Sequence, residues 1–99
     1  MDNRLVIAGV VAEAPDTRYS PGGVPIARFT LRHQSEQAEA GVTRRVECEL
    51  GVVASGEALQ PAVKGLRPEQ RVRVEGYLNR AHRRRPDRVV LHARTIELL

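Results

Sequence analysis

The sequence predicts an all-β domain in which five strands close into a small barrel, with a long connection between the fourth and fifth. Three observations lead there. Apolar and polar residues alternate over several separate stretches, the period-two mark of half-buried strands. Gly, Pro and Ser clusters punctuate those stretches. The one stretch with helical character, Glu57–Lys64, is interrupted by Pro61 and reads as a short, broken helix at best. The 99 residues suffice for one core, and no composition shift marks a second, so residues 1–99 are read as a single domain.

Taken in order, Leu5–Ala12 is β-branched and ends before Pro15, and its Gly9 suggests a strand that bends or bulges there. Tyr19–Pro25 (YSPGGVP) is dense turn chemistry. Beyond it Ala27, Phe29, Leu31 and His33 alternate with Arg28, Thr30 and Arg32, giving a second strand with an apolar face that holds Phe29 in the core and a basic face opposite. Gln34–Gly41 has no apolar period and reads as a polar hairpin loop. Thr43–Val53 forms the third strand, with Val46, Cys48, Leu50 and Val52 on one face and Arg45, Glu47 and Glu49 on the other. By that alternation Cys48 is a buried structural thiol, and a single cysteine excludes an intramolecular disulfide and fits a reducing compartment. Gln70–Leu78 is the fourth strand, its Val72, Val74, Gly76 and Leu78 opposite Arg71, Arg73, Glu75 and Tyr77, and Val89–Leu98 is the fifth. Five strands with one irregular excursion between the third and fourth is the order of an OB-fold barrel, and an open sandwich is the alternative. OB folds bind nucleic acid on strands 2 and 3 and on the loops joining strands 1–2 and 4–5.

Charge is distributed unevenly. Arg80–Arg88 holds five arginines and one aspartate, leaving 11 basic and 11 acidic groups elsewhere, so the whole formal excess of +4 lies in one nine-residue segment. Such a segment is an electrostatic contact site for a polyanion or a solvated basic loop. Pro86-Asp87 suggests where it turns. The composition, 41% hydrophobic and 28% charged, is that of a folded globular chain. No apolar run approaches the roughly 18 residues of a membrane span and no signal peptide is recognisable, so a cytoplasmic location is expected.

Several short runs, in order and at matching spacing, carry a resemblance: Asn3-Arg4-Leu5 with Gly9, Ser20-Pro21-x-Gly23-x-Pro25, and Phe29-x-Leu31-x-His33-x-Ser35. Further along come Glu39-Ala40-Gly41, Arg44, Cys48, Ser55-Gly56, Gly76-Tyr77 and Val90-Leu91-His92-Ala93-x-x-Ile96-Glu97-Leu98. The chain resembles the primosomal replication protein N (PriB) family over nearly its whole length, with weaker support at residues 57–70. The resemblance implies an OB fold, a homodimer related to single-stranded DNA-binding proteins, and a role in bacterial replication restart. It implies as partners single-stranded DNA, the restart helicase, the single-stranded DNA-binding protein and the downstream primosomal protein that loads next. Two departures stand out. Glu47 occupies the strand position where family members can carry a base-stacking aromatic, and the basic loop, often lysine-rich in the family, is arginine-rich here.

The DNA-contacting candidates are Arg80, His82, Arg83, Arg84, Arg85 and Arg88, whose guanidinium groups meet phosphates with paired N–H donors and stack on bases. Arg18 and Arg44 join them because they match basic positions of the family. Tyr77 is either a stacking platform or a residue packed at a barrel edge or dimer contact. Arg32 and Arg73 face outward with no assigned side. His33 and His92 are expected to be hydrogen-bonded within the barrel. No catalytic, metal or cofactor site is assigned: the three histidines fall on separate segments with no second cysteine, and no phosphate-cradling GxxxxGK[ST] run is present. The functions left open are a DNA-binding restart adaptor, an adaptor acting chiefly through proteins, and a small RNA-binding OB protein. Without a long acidic tail after Leu99, the adaptor would recruit partners through its folded surface.

Overall fold

In the computed structural model, which describes residues 1–99, β1 spans Leu5–Val11 and changes partner midway. Residues 5–10 pair antiparallel with β5 (Arg71–His82), while Val10 and Val11 pair with β3 (Pro25–Glu39). The switch requires a close crossing of backbones at Gly9, where a Cβ would lie 2.3 Å from the Arg32 carbonyl oxygen. The expected bend at Gly9 is therefore a place where only a glycine fits. β3 continues antiparallel into β4 (Val42–Ser55), and β4 pairs parallel with β6 (Arg85–Leu98) through Val52–Leu91 and Val53–His92. β6 returns antiparallel along β5. The order β1-β5-β6-β4-β3 with the β1–β3 pairing closes a five-stranded barrel, the OB fold.

Inside it lie Val11, Phe29, Leu31, Val52, Leu66, Val72, Val74 and Leu91. Phe29, Leu31, Val52, Val72 and Val74 come from the alternating apolar faces read from the sequence, Val11 and Leu91 from the first and last barrel strands, for which no face was assigned, and Leu66 from the excursion between β4 and β5. That excursion is a 3-10 turn, Glu57–Leu59, running into α1, Gln60–Lys64. Pro61 does not interrupt this helix. It occupies the first turn, where a missing N–H costs nothing and a fixed φ is already helical, so the helix starts there and buries Val63 against Ala27 and Ala54.

Four further readings are corrected. Tyr19, read as the start of the turn, instead ends a short strand, β2 (Asp16–Tyr19), paired antiparallel with Pro25–Arg28. Gln34–Glu39 is not a loop: β3 and β4 run in register out to Glu39–Val42, joined by a two-residue turn in which Ala40 and Gly41 have φ of 51° and 76°. Polar residues on both faces of this stretch hid the strand, because a ribbon projecting beyond the barrel has no core to face. Cys48 is exposed for the same reason, since it sits where the ribbon has left the barrel wall. The connection between the last two barrel strands is long but it too is a hydrogen-bonded ribbon, turning at Arg83–Arg84; Pro86 and Asp87 lie within β6, where the register is irregular. The two ribbons make the molecule 50 × 31 × 22 Å in extent.

Candidate nucleic-acid interface

The β5–β6 ribbon carries the arginine-rich segment into solvent, and every residue from Arg80 to Arg88 is exposed. Arg85 comes within 4.0 Å of Asp87, whereas Arg80, Arg83, Arg84 and Arg88 form no ion pair. His82 is the last residue of β5 and faces Arg85 across the turn. Unpaired guanidinium groups held together on a two-stranded support repel one another and attract a polyanion, which releases condensed counterions when it binds.

At the root of this ribbon lies a groove of about 500 Å³ on the outer wall of the barrel. β3 contributes Arg28 and Thr30, β4 Gly51 and Val53, β6 Val90 and His92, and β5 Asn79 and Arg80; Glu13 and Asp16 stand at its rim. The parallel β4–β6 pairing sets Val53 beside His92. Gly51 keeps the floor low, because a Cβ there would come within 3.2 Å of Val90. Asn79 accepts the Arg80 backbone N–H through Oδ1 at 2.8 Å, which leaves its amide N–H groups as donors. Arg28 has no acidic partner, although Asp16 is its register neighbour.

Arg18, Arg44 and Tyr77 lie outside the basic ribbon. Arg18 sits on β2 with its Nε 3.2 Å from Asp16, and Arg44 on the distal β3–β4 ribbon with its Nε 3.2 Å from Glu39. Both pairs are exposed, a setting in which ion pairs contribute about 0–1 kcal/mol and yield readily to a phosphate. Tyr77 is half-buried. Its ring stacks on the cross-strand His92 with centroids 5.1 Å apart and planes 6° from parallel, and the Arg94 guanidinium lies 5.3 Å from its centroid. His92 is thus held by ring stacking rather than by the hydrogen bond expected of it. His33 does have its bonds: Nδ1–H donates to the Ala8 carbonyl at 2.6 Å, which leaves Nε2 to accept from the Ser35 hydroxyl at 2.7 Å. Arg32 pairs with Glu69 and Arg73 with Glu97. Glu47 is held at 2.7 Å by Arg45 on the outer face of the β3–β4 ribbon.

Sequence reasoning did not single out Arg28, Asn79 or His92 as groove residues. Arg28 had a signal, the basic face of its strand; the others had none, because β4, β5 and β6 meet here from distant parts of the chain. No group of three or more His, Cys, Asp or Glu is placed to hold a metal ion, and no helix is long and apolar enough to cross a membrane.

A family model described as another single-strand binding protein family matches residues 3–95. The replication restart protein PriB of Photorhabdus laumondii is 39% identical over 99 residues, covering 98% of this chain and 93% of that protein. The chain belongs to the PriB family. PriB of Escherichia coli K12 is 38% identical and covers 100% of this chain and 96% of its own length. The solved structure of PriB from Ralstonia solanacearum superposes with a TM-score of 0.86 at 26% identity, over 99% of this chain and 98% of that one. The single-stranded DNA binding protein of Thermus aquaticus matches with a TM-score of 0.80 at 28% identity, over 99% of this chain but half of that one. PriB proteins and single-stranded DNA-binding proteins therefore share this barrel.

Proposed function

We propose that this chain is a bacterial replication-restart protein that binds single-stranded DNA and bridges the restart helicase to later primosome components, as a single OB domain without catalysis of its own. One observation carries the reading: the entire positive excess of the chain is exposed and largely unpaired on the β5–β6 ribbon, in a barrel whose relatives are named for replication restart and single-strand binding. Arg80, His82, Arg83, Arg84, Arg85 and Arg88 supply the phosphate contacts, with Arg18 and Arg44 as outlying ones. The test is anisotropy titration of a labelled single strand at several salt concentrations. Each neutralised phosphate contributes a slope of about −0.7 to log affinity against log salt. Replacing Arg83, Arg84 and Arg85 with alanine lowers the slope by about 2; an unchanged slope overturns the ribbon assignment. A parallel RNA titration separates a DNA role from a translational one.

A second reading makes protein binding the principal role. The Arg45–Glu47 pair favours it, because a charge-balanced surface stands where an aromatic would have stacked. Micromolar or weaker DNA binding beside tight helicase binding would select it.

A homodimer fits the same evidence. Fifteen of 99 residues are buried, a small core for one chain, and the β1 edge is open over residues 5–9 beside the 44% exposed Val6. Sedimentation velocity tests it: a monomer at micromolar concentration rejects it. Such a protein acts in the cytoplasm, where the DNA and the other partners lie, including the single-stranded DNA-binding protein.

A further inference from the structure

We propose that Glu36 and Glu49 close the outer wall of the barrel to phosphate beyond Gly51, so that a bound strand stops at the root of the β3–β4 ribbon and the chain holds fewer nucleotides than the same wall would without these carboxylates. The inference rests on the single-strand reading above and adds to it the residues that limit the length of strand held.

Register places the groups. Thr30 and Gly51, which line the groove, are partners on the outer face of β3 and β4. Side chains return to the same face every second residue, so the next pairs along that face are Arg32–Glu49, Gln34–Glu47 and Glu36–Arg45. The sign of the wall changes there. Arg32 is engaged by Glu69 and Arg45 by Glu47, so both cations of this stretch are already neutralised. Glu36 and Glu49 are exposed and form no ion pair. At a rise of about 3.3 Å per residue, Glu49 stands about 7 Å beyond Gly51 and Glu36 about 20 Å beyond it. Glu49 therefore lies within a Debye length, about 8–10 Å near physiological salt, of a phosphate over the groove floor. Nothing on this face offsets the repulsion. Its other side chains, Gln34, Ala38 and Thr43, bring neither a free cation to release counterions nor a ring on which a base stacks. At the opposite end of the wall Arg28 and Arg80 are free of ion pairs, so the field along the wall runs from attractive to repulsive.

The length of strand held is open to direct measurement. The full chain is titrated by anisotropy with labelled oligothymidylates of increasing length, at low and at moderate salt, and affinity is plotted against length. For the unaltered chain affinity should stop rising at a length that the double variant Glu36→Gln, Glu49→Gln extends. Strands longer than that should bind the variant about three- to tenfold more tightly at low salt. Strands too short to reach the β3–β4 ribbon should bind both proteins alike, and the gain should shrink as salt screens it. The control is Asp2→Asn, Glu57→Gln, which removes two exposed, unpaired carboxylates ahead of β1 and in the 3-10 turn and changes the net charge equally. It should leave the plateau length where it is. All four side chains are exposed, so neither variant removes a core contact. An unchanged plateau in the Glu36, Glu49 variant, an equal gain on short and long strands, a gain indifferent to salt, or the same extension in the control overturns the inference. If the unaltered chain binds no strand of any length, the single-strand reading itself fails; if alanine at Arg83, Arg84 and Arg85 weakens binding at every length while the Glu36, Glu49 variant leaves the plateau in place, only this inference fails.

Discussion

Two residues show how little freedom the barrel wall has. At Gly76 the β5–β6 register slips by one residue, and an added Cβ would stand 1.9 Å from the His92 carbonyl oxygen and 2.8 Å from its carbon. The obstacle is backbone and cannot rotate away. Gly76→Ala should therefore destabilise by about 3 kcal/mol or more, measured by urea unfolding, and should disturb the Tyr77–His92 stack one residue away. His33 is the other case. By donating to the Ala8 carbonyl it satisfies an acceptor on the open edge of β1, and the chain keeps that acceptor only half-sheltered from water. His33→Ala should cost about 1–3 kcal/mol in the same measurement.

At the scale of elements, the two ribbons are built from the same pairing but differ in charge and in their turns. The β3–β4 ribbon carries internal pairs, Arg44–Glu39 and Arg45–Glu47, that engage both of its arginines, and Glu36 and Glu49 leave it acidic. The β5–β6 ribbon concentrates one sign. In the β3–β4 turn Ala40 adopts a left-handed conformation that disfavours a Cβ, whereas asparagine tolerates it and Asn-Gly is the preferred pair for such turns. Ala40→Asn should slow hydrogen exchange at the amides flanking the turn about two- to fivefold. DNA affinity should be unchanged, because the substitution adds no charge and lies far along the chain from Arg80–Arg88.

For the whole molecule, the small core and the projecting ribbons mean that much backbone hydrogen bonding is exposed, and stability is spread unevenly. Its radius of gyration, 14.3 Å, exceeds the roughly 13 Å of a compact domain of this length. If two copies join along β1, unfolding is linked to dissociation, and Tm should rise with protein concentration. A Tm independent of concentration over a hundredfold range would leave the folded chain a monomer. The same linkage predicts that single-stranded DNA raises Tm at low salt and loses that effect as salt is added, because the phosphate contacts proposed for the ribbon are ionic.

Which residues of β3 and β5 line the inner face of the barrel, the close approach at Gly9 and the place of the excess charge were determined by the sequence alone, because each is a local property. Val72 and Val74 point inward and Arg71 and Arg73 outward whatever the strand pairs with, and Arg80–Arg88 is basic in any fold. Only the tertiary structure decided where each strand outruns the core. It turned Gln34–Glu39 from an apparent loop into a ribbon and put Cys48 in solvent, because burial depends on a neighbour above the residue and alternation does not supply one. It also decided the groove, in which Arg28, Val53, Asn79, Val90 and His92 meet through the antiparallel β5–β6 pairing and the parallel β4–β6 register. That register is a long-range choice with no period of its own in the sequence.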